Sequence, residues 1–215
     1  MSLLWYIQSG LLALLLFLML RNRAYKVCPW FFAYVAFGVC ADVARFVVDN
    51  HAVAYFATYW ITEAGYCVLG ILAMYEVFSI IIRGLASPWW SYLIFPGVVI
   101  SGVYLSLACA HSVPSKVSGL PYYIFYGEIA VRFVQVLAVF VTFIPLVGFR
   151  RYRYALGVVT GFGFYSTVEL LSMIKFLEVG IKSKFCWGIV SATAYGLTVL
   201  IWIWFFRVPQ EMSLC

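Results

Sequence analysis

The sequence predicts an all-α integral membrane bundle of seven transmembrane helices, and three observations predict it. Seven long apolar stretches fill the chain almost end to end. The residues are 66% hydrophobic and only 10% charged, with a mean hydropathy of +1.01. A water-soluble domain of 215 residues has no interior large enough to hide that composition. Lys and Arg concentrate in every second gap between the stretches, which is the signature of loops retained on the cytoplasmic side.

A spanning helix needs ~20 mostly apolar residues. The stretches at residues 3–20, 30–48, 55–82, 92–110, 122–147, 154–177 and 185–206 meet this or come close, and together they read as one transmembrane domain over residues 1–215. The first has no basic residue before it and Arg21, Arg23 and Lys26 after it, the reverse of a cleavable signal, so it reads as a retained first helix. The second opens at Pro29 and Trp30, and the third begins at Tyr55. Pro88 precedes the fourth and Pro121 the fifth; Pro96 and Pro145 lie inside helices, where each thins the hydrogen-bond ladder. The sixth follows Arg150, Arg151 and Arg153, and Pro209 closes the seventh. The third and fifth exceed a minimal span and should tilt or extend beyond the lipid. Trp5, Trp30, Tyr55, Trp89, Trp90, Tyr122, Trp187 and Trp204 fall near helix ends, as an interfacial aromatic belt requires.

Arg21, Arg23, Lys26, Arg83, Arg150, Arg151, Arg153 and Arg207 share one side, and Lys116, Lys182 and Lys184 the other. The richer side is expected to be cytoplasmic, with the N-terminus outside, the C-terminus inside, and the plasma (inner) membrane as the location. The net charge of +6 therefore serves topology, and no nucleic-acid partner is expected. Spans and short loops leave no length for a soluble catalytic domain.

The six cysteines form no C-x-x-C pair, so no metal site is expected. Cys28, Cys40 and Cys67 read as small packing residues. Cys109 and Cys186 lie near outer helix ends, where a disulfide between them is one option. His51 and His111 fall in loops, which leaves no histidine to ligate a haem within a span, and no residue pattern specifies a cofactor. A short internal echo relates Phe37–Asp42 to Phe164–Glu169, with Gln8 and Gln135 on the preceding helices; it suggests helices one to three repeated as five to seven, an arrangement known among carriers.

Ionisable groups inside spans are costly, ~2.5–3.5 kcal/mol on insertion scales, and usually face the bundle interior. Here Asp42 and Arg45, Glu63, Glu128 and Arg132, and Glu169 come from four helices and fall at one depth, in the expected outer half. Asp42 and Arg45, three apart, and Glu128 and Arg132, four apart, can each neutralise on one helix face. Glu63 and Glu169 lack such a partner and must meet an arginine across the bundle, bind a cation, hold water or stay protonated. Tyr59, Thr62 and Tyr66 flank Glu63, Gln135 continues the fifth helix's polar face, and Tyr165, Ser172 and Gly161 share the face of Glu169. The expected site is therefore Asp42, Arg45, Tyr59, Glu63, Glu128, Arg132, Gln135, Tyr165 and Glu169, converging between helices two, three, five and six. Lys175 points away and is expected to snorkel. Glu76 reads as an interfacial or water-facing acid at the inner end, and Gly65, Gly70, Gly161 and Gly163 as close-packing positions.

Four acids against two arginines leave the cluster short of positive charge, which a small cationic ligand, a proton or a metal ion would supply. The expected function is a sensor, receptor or carrier with a polar small-ligand or ion site. The alternatives are an ion-pair network that holds together an accessory subunit among other membrane subunits, and, less well supported, an intramembrane enzyme. The last lacks any Ser-His or Cys-His set. Seven spans are also the topology of rhodopsins and hormone receptors, but helix seven has no lysine after Lys184, and only Ile82-Arg83-Gly84 follows helix three.

Overall fold

The computed structural model describes residues 3–84, 91–110, 120–147, 153–179 and 184–209. These form α1 (Leu3–Arg21), a 3-10 turn (Ala24–Lys26), α2 (Pro29–Val47), α3 (Ala52–Gly84), α4 (Ser91–Ala110), α5 (Leu120–Val147), α6 (Arg153–Val179) and α7 (Lys184–Phe206). The chain is an all-α bundle of long apolar helices and a membrane-embedded protein of several spans. Among the described residues, five helices have the length and apolarity to cross a membrane: Leu4–Arg21, Pro29–Val47, Ala52–Ile80, Arg153–Met173 and Gly188–Phe206. The expectation of seven is thus met for five. α4 contributes a shorter apolar run, Leu93–Ala108, and α5, which carries Glu128, Arg132 and Gln135, is not among them.

The helix boundaries follow the punctuation in the sequence. Pro29 occupies the first turn of α2, where its missing N–H costs nothing. Between α1 and α2 the chain turns at Arg23, whose φ of 52° is left-handed. α3 has 33 residues, about 50 Å of helix, against a hydrocarbon core of about 30 Å. Pro96 lies inside α4.

Six helices close a ring in the order α1, α2, α3, α5, α6, α7 and back to α1; α4 stands outside it, packed on α5 with a thin contact to α3. Because successive helices alternate in direction, α4 is the return stroke that lets α5, α6 and α7 run parallel to α1, α2 and α3. In the ring, α2 and α6 occupy opposite positions.

The two ends of the ring are filled differently. At the end where α1 and α7 finish, Phe31, Tyr154, Phe162, Trp202 and Phe206 are fully buried. Phe31 meets Trp202 edge-on at 5.0 Å and stacks on Phe206 at 5.4 Å, and Tyr34 meets Phe162 edge-on at 5.1 Å, so α2 and α6 touch through their rings across the centre. Such edge-to-face arrangements suit the aromatic quadrupole. A Cβ at Gly161 would overlap the Trp202 indole, so this glycine is what admits α7 so closely to α6. Polar ties seal the same end: Asn22 Nδ2 donates to the Phe206 carbonyl at 2.6 Å, and Arg153 to the Trp204 carbonyl at 3.1 Å. These carbonyls belong to the last turn of α7, which has no intrahelical donors of its own.

Glu76 corrects its sequence reading. It is 8% exposed and does not face water; its two oxygens accept hydrogen bonds from the Trp30 and Phe31 backbone N–H groups, each at 3.1 Å. A carboxylate of α3 thus caps the first turn of α2, satisfying free donors and opposing the helix dipole. Burial, with Glu76 alongside, pushes the Cys28 thiol above its ordinary range.

Candidate functional site

At the opposite end, where α1, α3, α5 and α7 begin, the ring opens around a cavity of about 490 Å³. Eight of the nine residues singled out in the sequence line it: Asp42, Arg45, Tyr59, Glu63, Glu128, Arg132, Tyr165 and Glu169. The ninth, Gln135, is 1% exposed and lies behind the wall, holding two of the lining elements together. Its Oε1 accepts from Arg132 at 3.2 Å and from the Ser166 hydroxyl.

Arg45 rises from α2 near its C-terminal end, where its charge also complements the helix dipole. It makes no ion pair with Asp42 on its own helix. It crosses to α3, donating to Glu63 at 2.8 Å and, through Nε, to the Thr62 hydroxyl at 2.9 Å. Thr62 in turn donates to the Thr58 and Tyr59 carbonyls one turn earlier, so its lone pairs are turned to the guanidinium. The Arg45 guanidinium also lies 4.9 Å from the Tyr59 ring centre. Facing turns of α2 and α3 bring this pair together, and the two helices pack closely where Phe37 meets Gly65, at which a Cβ would overlap the ring.

With Arg45 so engaged, Asp42 accepts from Ser9 of α1 at 2.6 Å and pairs with no cation among the described residues. On α5, Arg132 and Glu128 do pair along one face, at 3.3 Å. Arg132 is 7% exposed, stacks its guanidinium 4.5 Å over the Tyr165 ring, and keeps one N–H, Nε, without a partner. Glu169 finds neither arginine; it accepts from the Ser191 hydroxyl of α7.

The remaining walls come from residues that the sequence reading left aside. Trp5 and Gln8 of α1 and Gly188, Ser191, Ala192 and Tyr195 of α7 complete the enclosure, so the cavity belongs to all six ring helices and not to four. Gln8 donates to the Ala192 carbonyl and ties α1 to α7 at the cavity's level. The Trp60 indole N–H is buried without a partner. Of the residues aligned with Glu169, Ser172 lines the cavity and Gly161 belongs to the aromatic end. His51 is exposed at the α2–α3 turn. His111 and the side chains of Lys175, Cys109 and Cys186 lie outside what is described.

The cavity wall thus carries four carboxylates and two guanidiniums, a formal charge of −2. Both guanidiniums are spent on Glu63 and Glu128, and the two surplus carboxylates, Asp42 and Glu169, each rest on one serine hydroxyl. Seven aromatic side chains fill the intervals: Trp5, Tyr34, Tyr59, Trp60, Tyr66, Tyr165 and Tyr195. Among the described residues no three His, Cys, Asp or Glu side chains converge as metal ligands. No family model, no curated protein and no solved structure matches this chain.

Proposed function

We propose that this protein binds a small cation, organic or a proton, in a polar cavity in the outer half of its bundle, and works as a carrier. The observation that carries the reading is the charge imbalance. A cavity set among membrane helices with four carboxylates to two guanidiniums calls for positive charge, because unbalanced charges are expensive there. The ring supports a carrier more than a sensor. Two three-helix halves of the same direction enclose the site, and α4 is left outside as a connector, which is how parallel-repeat carriers place a binding site at the repeat interface. The aromatic plug then acts as the closed gate and the cavity as the open one. The basic residues near the plugged end (Arg21, Arg23, Lys26, Arg153 and Arg207) support a cytoplasmic assignment of that end, in keeping with a plasma (inner) membrane location and an outside N-terminus.

A second reading, an accessory subunit, draws on α4. Its outward face bears Ile100 and Tyr104 at 70% and 71% exposure, a surface equally suited to lipid and to another membrane subunit. A mass measurement after gentle extraction separates these readings.

Trp5 and Trp60 make binding visible. Titration of the purified protein with n-butylamine is expected to change tryptophan fluorescence saturably. The double variant Asp42→Asn with Glu169→Gln is expected to weaken that response at least about tenfold, the equivalent of one charged hydrogen bond. A response that does not saturate, or one unchanged in the double variant, would refute the cation site.

A further inference from the structure

We infer that the cation is a linear diamine, held with one ammonium on Asp42 and the other on Glu169. This rests on the cation-binding reading above and makes it specific. The two carboxylates with no ion-pair partner among the described residues come from different helices. Asp42 projects from α2 toward Ser9 of α1, and Glu169 from α6 toward Ser191 of α7. α2 and α6 are opposite members of the ring, and at this end the cavity separates them. A single monovalent cation cannot neutralise both. Two protons would, but they would leave about 490 Å³ of space unused.

The wall between the two carboxylates supplies the rest of the match. Tyr195 of α7 packs edge-on against Tyr165 at 5.5 Å, and both line the cavity, as do Trp5 and Tyr34. Aromatic faces cover methylene groups and attract ammonium groups, and they offer no lone pairs to replace the water shell of a bare metal ion. The paired residues fix the ends. Arg45 and Arg132 are each locked to a glutamate and an aromatic ring, so they keep Glu63 and Glu128 from competing for the ligand. An ammonium at each carboxylate completes the serine's single hydrogen bond with charge-assisted ones. The polymethylene chain crosses between.

The test is a length series on the intact purified protein, read by tryptophan fluorescence and by thermal midpoint. The probes are diaminopropane, diaminobutane, diaminopentane, diaminohexane, n-butylamine and Mg²⁺. One diamine length is expected to bind at least about tenfold more tightly than n-butylamine, since a second charged contact is gained. Asp42→Asn and Glu169→Gln are each expected to lower the best diamine to the n-butylamine level and to leave n-butylamine itself bound by the remaining carboxylate. n-Butylamine equal to every diamine, with both variants silent toward diamines, would overturn the diamine assignment and leave the cation site standing. Failure of every amine to bind would overturn both. The wild-type length series needs no variant to fold, so it decides the matter alone if a substitution proves destructive.

Discussion

The two ends of this bundle are built by the same six helices and solve opposite problems. At the plugged end, α2, α6 and α7 meet through fully buried rings, and polar groups there cap helix ends: Glu76 on α2, Asn22 and Arg153 on α7. At the open end the same helices keep apart, and the space between them is lined by six ionisable groups. The contrast shows where rigidity and adaptability reside. Close-packed aromatic contacts are short-ranged and tolerate little displacement. Charged side chains around a cavity hold their geometry by pairing, and Asp42 and Glu169 have no ion-pair partner among the described residues.

The comparison can be broken at its packed side with the largest effect. Phe31→Ala removes the ring that Tyr34, Phe162, Trp202 and Phe206 all contact, and should cost about 3–5 kcal/mol of stability. A thermal melt of the purified protein reads this directly. Trp60→Ala, on the cavity wall, should cost distinctly less; equal losses would mean that the two ends are packed alike. A smaller effect sharpens the polar side. Arg45→Met leaves Glu63 without its cation and is expected to cost about 2–3 kcal/mol, below the range for deeply buried pairs because the cavity admits water. The double variant Arg45→Met with Glu63→Leu should regain most of that loss, and no recovery would show that Arg45 acts through Thr62 and the tyrosine rings. The smallest expected change concerns the cap. Glu76→Gln keeps one acceptor for the first turn of α2 but loses the charge facing the helix dipole, for about 1 kcal/mol in the same melt.

Much of this was legible beforehand because it depends on side-chain type and helical spacing alone. The helices follow from apolar length and proline placement, and their described ends agree with the sequence to within a few residues. The charged residues of α2, α3, α5 and α6 come to one level because residues at like distances from helix ends lie at like depths. The Glu128–Arg132 pair, an i,i+4 contact, is local and was readable for that reason. Asp42 and Arg45 were equally close in sequence, yet separated in space. The choice between a local partner and Glu63 turns on how α2 packs against α3, which no spacing on one helix reveals. Ser9 and Ser191 offered a faint signal as hydroxyls at the depth of the acids, but a serine in a span is commonplace until its neighbour is known. Glu76 looked like an interfacial acid because nothing in α3 announces that the start of α2 lies beside it.

The amino-acid sequence by itself determined the solvent, the helices and the depth of the charges, since each is set by local chemistry against a bilayer of fixed thickness. Tertiary structure alone decided the ring with α4 outside it, the sealing of one end by aromatic contacts, and which acids receive an arginine and which only a serine. Those outcomes depend on the rotation of each helix about its axis and on the gap to its neighbour. Both are fixed by packing among residues far apart in the chain.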